Sequence, residues 1–237
     1  MKKSCSLSTL SVVAAGLAAT LNFEMPASGE SLVTNRPADV IKLPKWRQDS
    51  KISVESALRR RRSVREFSKA TLMLTEVSQL LWAAQGITSP EGKRTAPSAG
   101  ALYPLEVFVV AGKVDGLSAG VYRYRPQGQD LIRVAEGDQR ARLASAALDQ
   151  DWLKDAPATI VIAAIYERTA WKYKQRAGRY VHIEAGHAAQ NVQLQAVALD
   201  LGSVIVGAFD DEQVKRALAL AENEQPLCVL PIGRPRP

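Results

Sequence analysis

The chain has 237 residues, 46% hydrophobic and 23% charged, an ordinary globular composition with enough apolar residues for one sizeable core; one domain is the default and two small ones the alternative. Its 31 Lys and Arg against 24 Asp and Glu leave a formal charge of +7, which suits anionic ligands, but aromatic residues do not interleave with the basic ones, which argues against a nucleic-acid surface. Of the two cysteines, Cys5 falls in the leader and Cys228 in a late apolar run, so the mature chain has no internal disulfide and Cys228 reads as a buried core thiol.

The start has the pattern of an export signal. Lys2 and Lys3 precede an apolar, small-residue stretch from Leu7 to Leu21, too short for a comfortable membrane span. Ala27-Ser28-Gly29 offers small residues for cleavage before Glu30, so residues 1–29 are expected to be a signal peptide. An uncleaved anchor or a disordered tail is the alternative. Export to the periplasm or beyond is the corresponding location, and the cytoplasm if the leader is not used; no stable membrane insertion is expected of the mature chain. Residues 30–50, with Pro37 and Pro44 and no clear period, are expected to form an extended arm, and 51–237 the folded domain.

Five arginines occupy seven positions from Arg59 to Arg65. Ser53 is suited to cap a helix in which Val54, Ala57 and Leu58 form an inward stripe, and Arg61, seven residues after Val54, continues that face, with Arg62 at its edge. Arg59 and Arg60 point away. An inward guanidinium needs an anion, and its fork matches phosphate; the alternative is a solvated charge run. Thr75 is expected to cap a second helix, with Val77, Leu80, Leu81 and Ala84 inward and Gly86 at its end. Thr88 to Pro104 is a long Gly/Pro/Ser-rich loop carrying Arg94, Ser98 and Gly100. Val107–Ala111 is a buried strand, and runs around Val121–Tyr124 and Leu131–Val134 form a hairpin across Pro126-Gln127-Gly128. Asp138 caps a helix reaching about Leu148. Thr159–Ile165 reads as a central strand and Tyr180–Leu201 as the longest helix, with Ala185, Ala188, Val192, Ala196 and Leu199 inward. Ser203–Phe209 is expected to be a strand, Asp210 the cap of a short helix, and Leu227–Ile232 the last strand. Strands and helices mix without strict alternation, which makes the class α+β.

Negative signals narrow the chemistry. No GxGxxG, GxxxxGK[ST] or GxSxG motif occurs. His182 and His187, five apart on one helix, do not share a face, so no metal site is expected and His187 reads as a core or interface residue.

Six segments, in this order, resemble the nitroreductase-like FMN-dependent oxidoreductases, and among them the SagB/ThcOx-type dehydrogenases. They are Arg61-Arg62-Ser63-Val64-Arg65-Glu66-Phe67, the stretch from Ala96 to Pro104, Trp171-Lys172-Tyr173, the stretch from Glu184 to Asn191, Gly202 to Phe209, and Leu230-Pro231-Ile232-Gly233. The resemblance implies an α+β homodimer, its central mixed or antiparallel sheet flanked by helices, with two FMN sites at the subunit interface. It would place Arg61, Arg62, Ser63 and Arg65 toward the FMN phosphate and ribityl chain, and Pro97, Ser98, Ala99 and Gly100 in a loop from the other subunit. Val206 and Gly207 would face the flavin ring, and Arg234, with Arg236 a weaker candidate, the phosphate. Many simpler nitroreductases carry an Asn and a Gln-Pro-Trp where Ala101, Tyr103, Pro104 and Leu105 stand here, a departure that fits the SagB-type branch. In azoline-oxidising relatives a Lys-Tyr pair is functional, and Lys172-Tyr173 resembles it; the alternative is a solvated lysine beside a core tyrosine.

The expected activity is hydride transfer through bound FMN between a nicotinamide (NADH or NADPH, transiently bound) or organic donor and a small-molecule acceptor. Azoline-to-azole oxidation of a modified peptide, a non-catalytic flavin-binding subunit and an exported basic binding protein without flavin are the alternatives. Export of an unfolded chain would require FMN to be acquired outside the cytoplasm.

Overall fold

The computed structural model describes residues 40–236. In chain order the elements are β1 (Val40–Lys42), α1 (Val54–Arg60), β2 (Leu72–Met73), α2 (Leu74–Gln85), β3 (Leu105–Ala111), β4 (Val114–Asp115), β5 (Gly120–Arg125) and β6 (Asp130–Glu136), then α3 (Arg140–Ala146), α4 (Trp152–Asp155), β7 (Ala158–Ala164), α5 (Glu167–Tyr173), α6 (Ala177–Ala198), β8 (Gly202–Ser203), α7 (Asp211–Leu218) and β9 (Gln225–Gly233). Seven strands form one sheet in the order β1-β6-β5-β3-β7-β9-β8, with every neighbouring pair antiparallel. β2 and β4 form a separate parallel pair. The class is α+β. The leader expected over residues 1–29 and residues 30–39 of the arm lie outside the described residues; Val40–Lys42 form a short edge strand against β6.

β7 is buried along its whole length because both sheet faces are covered. Successive side chains alternate between faces. Val107, Val109, Ile160 and Ile162 join the core under α2 and α6, with Leu80, Leu81, Val181, Ala188 and Val192. Phe108, Val110, Val161 and Ala163 join the core under α3 and α7, with Leu143, Val214 and Leu218. The register Val109↔Ile160 and Val107↔Ile162 keeps each set on one face. Alanines at 185, 188, 189 and 196 let α6 lie close to the sheet and to α2.

Several local expectations need correction. α1 stops at Arg60 and only Ala57 of its expected stripe is buried; Val54 is 66% and Leu58 54% exposed. Arg61 is therefore not a helical residue on an inward face but the cap after the helix, with extended backbone (φ −54°, ψ 125°) and its N–H donating to the Ala57 carbonyl. The cap of α2 is Met73 rather than Thr75, with the Glu76 carboxylate accepting from the Met73 N–H at 2.9 Å. Gln139 precedes α3, although the Asp138 carboxylate accepts the Arg140 N–H at 3.1 Å. Ser203–Phe209 does not extend as a strand: β8 holds two residues, and Val206 returns to the sheet through one bridge to Val229. Ser53 and Asp210 cap their helices as expected, accepting from the N–H groups of Ser56 and Gln213. Cys228 is a buried thiol.

Candidate active site

The arginine stretch borders a cleft. After Arg61 caps α1, the chain runs parallel to β8: Ser63 bridges Ser203, and the Val64 N–H donates to the Ser203 carbonyl at 3.0 Å. Gly202 makes this approach possible, since a Cβ there would sit 2.8 Å from the Val64 side chain. A cavity of about 380 Å³ opens between the two segments, lined by Arg60, Arg61, Arg62, Val64, Gln193, Asp200, Ser203 and Pro235 among others. Arg60 is paired with Asp200 at 3.0 Å. Arg62 turns back on the end of α1, donating to the Arg59 and Arg61 carbonyls at 2.9 and 2.8 Å. Among the described residues neither Arg61 nor Arg62 has a carboxylate within ion-pair distance, so the cleft has more positive than negative charge.

The other basic candidates are directed elsewhere. Arg65 lies over the Trp152 ring at 5.8 Å. Arg234 pairs with Glu76 at 2.7 Å. Arg236 makes a backbone bond to Glu66 and reaches the Phe67 carbonyl at 3.5 Å. The strand-like pairing of 66–68 with 234–236 seats Pro235, not a guanidinium, on the cleft. Val206 is buried in the sheet core, whereas Gly207 is exposed with no atom within 4 Å of where a Cβ would stand. That open backbone is a surface a flat ring can approach.

A second cluster forms around the loop Pro97–Gly100. Gly100 has φ +63°, followed by Ala101 and Tyr103, also at positive φ (54° and 47°). The turn is held by two side chains: Ser98 Oγ accepts the Tyr103 N–H at 2.9 Å, and Glu184 Oε1 accepts the Ala99 N–H at 2.9 Å. Glu184 lies on the buried face of α6 between Val181 and Ala188. Burial pushes its carboxyl up, against the opposing pull of the Ala99 N–H, the Ser98 hydroxyl and His187. Lys172 Nζ and Tyr173 OH lie 3.0 and 3.1 Å from the position a Cβ would take at Gly100. The two side chains leave α5 about 100° apart, yet their tips meet over one glycine. α5 stops at Tyr173, Lys174 takes φ +48°, and Tyr180 packs on the Tyr173 ring at 4.7 Å. His187 is exposed rather than part of the core, and His182 Nε2 hydrogen-bonds Tyr166 OH at 2.6 Å. Among the described residues no group of three or more His, Cys, Asp or Glu is placed to hold a metal, and no helix is long and apolar enough to cross a membrane.

The structure thus brings Arg61 and Arg62 together with Ser203, and Lys172 and Tyr173 together with Gly100. It does not bring Arg65, Arg234 or Arg236 into the cleft. Glu184 opens one of the six segments of the resemblance but carries no site role there, and Asp200 does not figure among the candidates. Glu184 was within reach of the sequence reading, because it falls at helical spacing on the face that carries Val181 and Ala188.

The nitroreductase family model matches residues 58–234, which contain the arginine cleft, the glycine loop and the Lys172–Tyr173 pair. The chain belongs to the nitroreductase family. The Methanocaldococcus jannaschii protein MJ1384, named as a nitroreductase, is 46% identical over 183 residues, 77% of this chain and 91% of that one. A solved nitroreductase-family structure from Ralstonia eutropha superimposes with a TM-score of 0.74 at 30% identity, covering 84% of this chain and 90% of that one. The microcin B17-processing protein McbC of Escherichia coli is 30% identical over 161 residues, 65% of this chain. The chain spans 59% of McbC and 38% of a related Anabaena variabilis chain of known structure. Family membership makes the protein an oxidoreductase of nitroreductase fold.

Proposed function

We propose that this nitroreductase-family oxidoreductase is FMN-dependent and works as a homodimer of the SagB type. The observation that carries the reading is the pair Arg61 and Arg62, without carboxylate partners among the described residues, on a cleft closed by Gly202 and Ser203. Two such guanidiniums suit a phosphate monoester, and the open backbone at Gly207 suits a flat ring, so the residues present fit the cofactor. Bound FMN supplies reversible hydride transfer. Arg61 and Arg62 hold its phosphate, with Ser63 alongside. Arg65, Arg234 and Arg236 serve only if they leave Trp152, Glu76 and Phe67. The loop Pro97–Gly100, fixed by Glu184, presents Lys172 and Tyr173 to the other subunit's site. Lys172 Nζ or Tyr173 Oη takes a proton from the substrate as its hydride departs, or returns one to a reduced acceptor. NADH or NADPH, bound transiently, is the proposed reductant for the second direction.

Dehydrogenation of an azoline in a modified peptide is the second reading, favoured by the convergence of Lys172 and Tyr173 on one glycine and by the likeness to a microcin-processing protein. Export through residues 1–29 remains a proposal of the sequence alone.

The test is the visible spectrum of the purified protein, with the released chromophore identified by chromatography. Stoichiometric FMN that is lost in Arg61→Ala supports the assignment. A colourless protein that binds no added FMN overturns it. If bound, reduced FMN is never reoxidised by any acceptor tried, the protein is a flavin-binding subunit and not an enzyme.

A further inference from the structure

A second cavity, of about 390 Å³, lies beside the strained turn at Tyr103 and away from the arginine cleft. Its walls carry Arg94, Arg123, Arg125, Arg168, Tyr103 and Glu106. Three of the four guanidiniums have carboxylate partners. Arg123 is held by Glu224 and by Glu106 at 3.0 Å, Arg168 by Glu106 at 2.6 Å, and Arg125 by Asp130 at 2.7 Å. Lys42 shares Asp130. Five cations therefore meet three carboxylates.

The uncompensated one is Arg94. It donates one hydrogen bond, to Gln85 Oε1 at 2.8 Å, and its guanidinium carbon lies 4.3 Å from the centre of the Tyr103 ring. Among the described residues no carboxylate is within ion-pair distance of it. Burial, the largest influence on this group, works against its charge. Its place over an aromatic face favours the cation, and among the described residues Gln85 is its one hydrogen-bond acceptor. Tyr103 is itself pinned: Ser98 Oγ takes its N–H, and its carbonyl accepts from Arg168 at 3.1 Å. Arg168 and Lys172 are four residues apart on α5, so the cavity adjoins the Gly100 cluster along one helix face.

We propose that this cavity is an oxyanion site in which Arg94 receives a carboxylate or phosphate group. Its use by the anionic end of a redox substrate rests on the oxidoreductase reading above; the site itself does not. A half-buried guanidinium with free donors is a poor resting state, and a planar or tetrahedral oxyanion supplies both the missing charge and the missing acceptors.

The measurement is calorimetric titration of the intact protein with succinate and, separately, inorganic phosphate, at low ionic strength held constant with chloride. Saturable binding of one to one stoichiometry is expected, weakened at least tenfold in Arg94→Gln and within twofold of wild type in a variant of an exposed lysine outside both cavities, Lys69→Gln. Tighter succinate assigns a carboxylate-bearing ligand, and tighter phosphate a phosphorylated one. No saturable binding of either anion by the wild type overturns the proposal, as does binding by a folded Arg94→Gln within twofold of wild type. Should Arg94→Gln not fold, Arg94→Lys, which keeps the charge but loses the fork, is expected to lose several-fold. FMN present without anion binding rejects this site alone; anion binding without FMN rejects the flavin reading alone.

Discussion

Arg61 shows how a residue reaches a functional position by a route other than the expected one. Periodicity places it on an inward helix face, whereas the helix ends one residue earlier and the extended cap turns it to the cleft. Its removal is expected to lower FMN content at least tenfold while shifting stability by less than about 1 kcal/mol, since among the described residues it has no ion pair to lose; absorbance and urea melts on one preparation check both. Glu184 allows a pH test. Its folded carboxyl is raised above the ordinary 4.5, so the native state binds more protons than the unfolded one between those values, and the carboxylate costs stability as pH rises through the folded value. The melting temperature of Glu184→Gln relative to wild type is therefore expected to rise as pH is raised above 4.5 and to level off above the folded value. A constant difference across pH would contradict it. Cys228, buried and pushed up to about 12, is expected to stay unalkylated at pH 8 in the folded protein and to react on denaturation, as read by peptide mass mapping.

At the scale of elements, segments with a clear period or a side-chain cap were legible, the short helix after Asp210 among them, and segments whose pairing depends on a distant neighbour were not. β7, α6, and the β5–β6 hairpin follow directly from β-branched runs, alanine-rich helical spacing and turn residues. The Ser203–Phe209 stretch has the same apolar character, but it leaves the sheet after two residues, and only contact with Val229 recovers Val206. Composition cannot report the loss of a hydrogen-bonding neighbour. Two substitutions test the elements that carry the site. Gly202→Ala forces its methyl into Val64 and is expected to cost about 1–3 kcal/mol and to narrow the arginine cleft. Ile162→Ala, in the core under α6, is expected to cost about 2–5 kcal/mol without altering the cleft, and denaturant midpoints read both.

For the whole molecule, the exposed apolar side chains Val54, Leu58, Trp171, Ile183 and Ile205 are the feature that a single chain leaves unexplained. They come from α1, the end of α5, the outer face of α6 and the segment after β8, and a homodimer is the proposed cover. Sedimentation is expected near twice the mass of one chain, and Ile183→Asp, with a charge set at 48% exposure on α6, is expected to shift it toward one. Sedimentation of the wild type as a single chain would remove the case for a site built from two subunits.

Caps, periods and turn residues act between near neighbours, so the sequence by itself determined the α+β class, the central strand, the long alanine-rich helix and the motif order that marks the family. Only the tertiary structure decided which arginines share the cleft, that Arg234 is held by Glu76, that Lys172 and Tyr173 meet at Gly100, and that Arg94 lacks a counter-ion among the described residues. Those facts depend on charge and contact between residues far apart in the chain, where a side chain's partner is set by strand order and helix ends rather than by spacing.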